Sequence, residues 1–205
     1  MKQYYKYLNL PSSAIDETAF FDNLSKPSYK TACANDFWPG YLTHDSSAFS
    51  NEFRRILEDR NCKIFRGETF RILPNRPLSW HSDTNDITGA HDLDWHETTK
   101  INFMWGDVDN FFVEYGEVVG YAKPTVVTNP NKRQTNIYNP DTIKIIERFK
   151  MTKPIMINRG PIHRGVNYSN QDIITLSCII YNNTTDNFLL FKDAVNLFAD
   201  IFSNQ

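Results

Sequence analysis

Three side chains in this sequence have the types and spacing to hold one metal ion. His81 and Asp83 flank Ser82 in Leu78-Ser79-Trp80-His81-Ser82-Asp83, a run that reads as a strand. Strand alternation turns both to the same side, about 7 Å apart along the backbone. His163 comes much later, in Pro161-Ile162-His163-Arg164-Gly165-Val166-Asn167, at the start of another predicted strand. Two neutral imidazoles and a carboxylate bind a ferrous ion without filling its coordination sphere, so positions stay open for a cosubstrate and O2. Spacing alone leaves a plain alternative standing: a packing histidine beside Trp80 and an aspartate that starts a turn. The other histidines, His44, His91 and His96, read as surface or gate residues; the last two lie in the polar stretch Gly89–Thr99.

Short strands must position these groups. Candidate runs are Lys63–Phe65, Thr69–Leu73, Leu78–Ser82, Thr98–Trp105, Phe111–Val118, Thr125–Thr128, Pro154–Asn158, Arg164–Tyr168 and Ile173–Tyr181. They are rich in Ile, Val, Phe, Tyr and Thr and are separated by Gly, Pro, Asn and Asp. Three helices are predicted. The first runs from Ser47 to Arg60, on the stripe Phe49, Phe53, Ile56, Leu57, with Ser46 or Ser47 as cap and Asn61 as its end. The second covers Asp141–Lys150 and the third Lys192–Phe202. Helices do not alternate with strands, so a doubly wound parallel sheet is excluded. The pattern fits a mainly β fold with peripheral helices, an antiparallel barrel or jelly roll.

The chain has 205 residues, 22 Lys+Arg against 24 Asp+Glu, and three cysteines. A chain of this length forms one domain and buries about 70% of its unfolded surface without needing staples. The charge balance supplies no basic excess for a nucleic-acid partner. Cys33, Cys62 and Cys178 are dispersed, which supports neither a disulfide framework nor a cysteine zinc site. The start lacks the apolar run of an export signal and no stretch is long enough to span a membrane, so a cytoplasmic setting is expected. Phosphate loops, nucleophile elbows and dinucleotide fingerprints are absent.

Four ordered segments carry a resemblance: Leu78–Asp83, Lys100-Ile101-Asn102-Phe103, Phe112-Val113-Glu114-Tyr115 and Pro154–Asn167. Together, over residues 65–181, they resemble the small 2-oxoglutarate/Fe(II)-dependent oxygenase-like proteins, and more narrowly a group often encoded by phages and marine bacteria, where the setting would be a host cytoplasm. The resemblance implies a double-stranded β-helix, cupin-like, with its core at 63–181 and residues 1–62 and 182–205 packed around it. It implies His81, Asp83 and His163 as metal ligands, Fe(II) as the metal and 2-oxoglutarate as cosubstrate. The implied reaction is hydroxylation of a substrate by O2, with 2-oxoglutarate decarboxylated to succinate. Asp83 argues against a halogenating relative, in which that carboxylate is missing. The substrate itself, whether a small molecule, an amino acid or a peptide, is not written in the chain. Residues 1–40 and the loop Thr84–Glu97 are expected to build the mouth, and Trp95 and Trp105 either line it or pack.

One position departs from the resemblance. The arginine that binds the far carboxylate of 2-oxoglutarate falls at Ile173, while its hydroxyl partner is kept at Thr175. Three other cations are candidates. Arg164 follows His163 directly, so alternation points it away from the metal. Arg71 lies on the strand before His81. Lys100 lies on the strand after it, sharing a face with Asn102, and is the preferred substitute; Tyr115 is a further candidate for facing the cosubstrate. Without a substitute cation, the alternatives are a non-catalytic β-helix protein that binds or assembles, or an iron enzyme with another cosubstrate.

Overall fold

In the computed structural model, which describes residues 3–25, 42–44, 48–83, 98–121, 123–128 and 134–203, the strands form two antiparallel sheets of seven. The first sheet runs β1 (Tyr5–Tyr7), β11 (Ile155–Asn158), β6 (Thr99–Trp105), β13 (Ile173–Asn182), β3 (Cys62–Ile72), β2 (Leu42–His44), with β14 (Asn187–Phe188) added to β13. The second runs β10 (Ile143–Lys150), β7 (Phe111–Val118), β12 (His163–Asn167), β5 (His81–Asp83), β9 (Gln134–Ile137), β8 (Thr125–Thr128), with β4 (Arg76–Pro77) on β12. Most neighbours are non-consecutive, β2–β3, β8–β9 and β13–β14 being the consecutive pairs, which makes this a jelly roll, a double-stranded β-helix.

Both faces of the first sheet are covered, which explains why β13 reads as an almost unbroken apolar run. Its inner face meets the second sheet over Ile72, Phe111, Val113, Ile155, Ile157 and Ile173. Its outer face carries Ile101, Phe103, Leu176, Cys178 and Ile180 under α1 (Glu17–Leu24), α2 (Asn51–Glu58) and α3 (Phe191–Leu197). On β6, alternation therefore sends Ile101 and Phe103 outward to the helices and Lys100 and Asn102 inward. Asn167, fully buried, ties β12 to the end of β3 by donating to the carbonyls of Ile72 and Leu73 at 3.1 and 3.2 Å.

The sequence signals hold for most elements and fail at a few. The first predicted helix is α2, capped by Ser50, whose Oγ accepts from the Phe53 N–H at 3.1 Å. Ser46 and Ser47 lie outside the described residues. Asn61, at φ 53°, does end the turn that follows it. The third predicted helix is α3 followed by a 3-10 turn at Ala199–Ile201. The second is corrected: Asp141–Lys150 is one 3-10 turn, Pro140–Thr142, and then the strand β10. The doublet Ile145-Ile146 imitates helical spacing, but it sits where the register with β7 slips, at a bulge. Pairing with β7 decides the outcome for this β-branched segment. The predicted strands Lys63–Phe65 and Thr69–Leu73 merge into one continuous strand, β3, which ends at Ile72. The strands β1, β2 and β9 and the helix α1 gave no readable period.

Gly165 is needed where β12 crosses Phe111. A Cβ there would lie 2.7 Å from the Phe111 ring, which is itself buried. Gly165→Ala is expected to destabilise the fold by about 1–3 kcal/mol through overpacking. Denaturant unfolding checks this, and an unchanged midpoint would mean that the ring moves aside without cost.

Candidate functional site

His81 and His163 are direct cross-strand partners in the β5–β12 pair. Their rings stand 4.4 Å apart, centroid to centroid. Each Nδ1 lies 2.8 Å from a backbone carbonyl two residues upstream, that of Ser79 for His81 and that of Pro161 for His163. A carbonyl only accepts, so both Nδ1 atoms carry the proton and each Nε2 presents its lone pair. This is the tautomer in which histidine ligates through Nε2. Burial favours the neutral rings, lowering His81. Burial and then the neighbouring His81 push His163 down to about 3.

Asp83 follows on the same face of β5, while Ser82 turns away to meet the Tyr138 hydroxyl at 3.3 Å. Burial alone would raise the Asp83 carboxyl. Lys100 and then Arg159 outweigh it and hold the group well below the carboxylate range. Both cations contact one oxygen, Oδ2: Arg159 Nε at 3.0 Å and Lys100 Nζ at 3.3 Å. A carboxylate held in this way can still offer Oδ1 to a metal. Among the described residues, no three His, Cys, Asp or Glu side chains are gathered in ligating geometry. The carboxylate is turned toward its cations, and the donor set of two Nε2 lone pairs and one ionised oxygen fits a divalent ion in chemistry.

These residues line one cavity between the sheets, with about 620 Å³ of empty volume including the solvent at its mouth. Its polar wall is His81, Asp83, His163, Lys100, Asn102, Thr175 and Ser177, and its depth is apolar, with Phe70, Ile72, Phe111, Val113 and Met151. Thr175 Oγ1 and Asn102 Oδ1 are buried in this wall without a hydrogen-bond partner among the described residues. Unpaired buried polar atoms are costly, so they indicate a polar occupant.

The predicted cosubstrate residues are distributed unevenly around this cavity. Lys100 is inside, 6% exposed, bonded at 3.3 Å to Glu68 as well as to Asp83, with Phe70 beneath its ammonium. Ile173 is fully buried in apolar surroundings. Arg164 turns back to Glu114 at 2.8 Å and stacks on Trp80, and Arg71 bonds Asp172 at 2.6 Å. Arg71 does not line the cavity, and Arg164 borders it with its guanidinium committed to Glu114. Tyr115 is not on that wall: it stacks on Tyr4, and its hydroxyl donates to the Asn158 carbonyl at 2.7 Å. It packs behind His163, with 5.8 Å between ring centroids. Trp105 packs on Phe20 and donates to Glu17 at 2.8 Å. His44 lies in β2. The whole Thr84–Glu97 loop, with His91, Trp95 and His96, is outside the described residues.

Two charged residues escaped the sequence reading. Arg159 sits inside the Pro154–Asn167 motif but past the end of β11, where alternation no longer predicts direction. Glu68 was legible: it shares strand parity with Phe70 and Ile72, both on the cavity wall, so its carboxylate had to be buried and paired. It meets Arg66 at 3.0 Å.

No known family profile matches the chain, and no curated protein does. Solved structures do. Oxalate decarboxylase from Bacillus subtilis at pH 4.6 aligns over 73% of this chain and 26% of its own, at 10% identity and TM-score 0.31. The Lactobacillus farciminis oxalate decarboxylase formate complex aligns over 79% and 33%, at 9% identity and TM-score 0.33. Pumpkin seed globulin aligns over 67% and 28%, at 12% identity and TM-score 0.31. The fold is cupin-like. That assignment rests on the strand topology itself, and the chain spans only about a third or less of the length of these proteins. No described helix is long and apolar enough to cross a membrane.

Proposed function

We propose that this protein is an Fe(II)- and 2-oxoglutarate-dependent oxygenase, with His81, Asp83 and His163 as the metal ligands. The observation that carries the reading is the paired arrangement of His81 and His163: adjacent across two strands, desolvated, and each with Nδ1–H committed to a carbonyl. Two histidines placed only for packing need not share one tautomer and one cavity. The chemistry supplied at such a centre is hydroxylation of a C–H bond by O2, coupled to decarboxylation of 2-oxoglutarate to succinate. The chain's own part is to hold and orient. The Ser79 and Pro161 carbonyls fix the two rings, Arg159 fixes Asp83, and Tyr115 supports His163 from behind. Lys100, Asn102 and Thr175 would receive the far carboxylate of the 2-oxo acid. The apolar walls keep water from the reacting centre.

A second reading has its own observation: Ile173 is fully buried among apolar groups, and Lys100 is already engaged by two carboxylates. A non-catalytic β-helix protein that has lost cosubstrate binding fits that. Anaerobic addition of Fe(II) and 2-oxoglutarate distinguishes the two. A weak visible charge-transfer band, followed by succinate on admission of air, is expected for the oxygenase. Iron binding without either response would favour another cosubstrate, and no iron binding would favour the non-catalytic protein.

A further inference from the structure

Arg159 is the least expected member of the site. It is 4% exposed, and its guanidinium lies on the same Asp83 oxygen as the Lys100 ammonium. Its backbone does not depend on that contact. The Arg159 N–H bonds the Thr98 carbonyl at 3.1 Å, and the Gly160 N–H bonds Asn158 Oδ1 at 3.1 Å. The side chain is therefore doing something other than shaping the turn. A carboxylate that already faces two buried cations attracts a third positive charge weakly, because like charges in a poorly screened cavity repel. An anion entering the cavity reverses this. It cancels part of the cationic field, and it can accept from the Thr175 hydroxyl, whose Oγ1 has no hydrogen-bond partner among the described residues.

We propose that Arg159, acting with Lys100 on Asp83 Oδ2, makes divalent-metal binding conditional on an anionic cosubstrate. The inference rests on the metal-centre reading above and adds a direction to it: metal and 2-oxo acid bind as a coupled pair, and Arg159 sets the coupling. A residue that only braced Asp83 would do the opposite on removal, loosening the metal.

The test is calorimetric titration of the full chain with Mn(II), or Fe(II) under anaerobic conditions, with and without saturating 2-oxoglutarate. In the wild type, 2-oxoglutarate is expected to tighten metal binding by about tenfold or more, and metal to tighten 2-oxoglutarate by the same factor, as linkage requires. Arg159→Gln is expected to bind metal alone about tenfold more tightly than wild type and to lose most of the coupling. Arg159→Lys, which keeps the charge, should restore it. Equal metal affinity with and without 2-oxoglutarate, or weaker metal binding in Arg159→Gln, overturns the proposal while leaving the metal centre standing. Absence of metal binding in the wild type under both conditions overturns the centre itself and this inference with it.

Discussion

Asp83→Asn is expected to lower Fe(II) affinity by more than about a hundredfold, since loss of a ligand exceeds the ten- to hundredfold effect of losing a supporting contact. The amide keeps the shape of the side chain but loses the charge that would draw a divalent ion between His81 and His163. Asp83→Ala should abolish stoichiometric binding too, and it should also unsettle the fold. From the sequence alone, a carboxylate at a strand end contributes to the metal and to little else. Its two buried partners, Arg159 at 3.0 Å and Lys100 at 3.3 Å, say otherwise. Truncating one member of a buried ion pair costs about 3–5 kcal/mol, because the partner charge stays behind in the interior. Lys100 retains Glu68 at 3.3 Å, so the cost should sit toward the lower end. Anaerobic iron titration with denaturant unfolding separates the two effects. Retained iron affinity in Asp83→Asn would place the ion elsewhere and end the triad reading.

The legible part of the site was what alternation controls. His81 and Asp83 share parity on a strand, and so do Lys100 and Asn102, and all four reach the cavity. Arg164, one residue off that parity from His163, pairs with Glu114 instead. Tyr115 sits opposite His163 in the β7–β12 register, but a shared face does not say which polar atom its hydroxyl will find. It found the Asn158 carbonyl. Arg159 was illegible because it follows the last paired residue of β11, where direction is set by a turn and by contacts distant in sequence. The predicted helix at Asp141–Lys150 failed for a related reason: local spacing is a weak prior when a partner strand supplies a full ladder of hydrogen bonds.

The second large effect concerns the missing arginine. Lys100→Met is expected to weaken 2-oxoglutarate binding by about ten- to a hundredfold, the worth of a charge-assisted contact, without weakening Fe(II). Lys100 is the one of the three candidate cations that lines the cavity with its charge buried there, since Arg164 and Arg71 are committed to Glu114 and Asp172. To reach a carboxylate lying along Asn102 and Thr175, its ammonium must leave Glu68 or Asp83. Neither acid is then stranded: Glu68 keeps Arg66 at 3.0 Å and Asp83 keeps Arg159 at 3.0 Å. The same arrangement makes Lys100→Met a clean substitution, because both carboxylates stay paired in the variant. Ile173→Arg is the complementary test. Ile173 is fully buried against apolar neighbours, so the variant is first checked for a cooperative unfolding transition. If wild type binds 2-oxoglutarate, Lys100→Met loses it and a folded Ile173→Arg gains little, then the lysine has taken over the arginine's work. If wild type and Lys100→Met are equally indifferent and only Ile173→Arg binds, cosubstrate binding was lost with the arginine. In that case the cavity serves an acid other than 2-oxoglutarate, or no reaction at all.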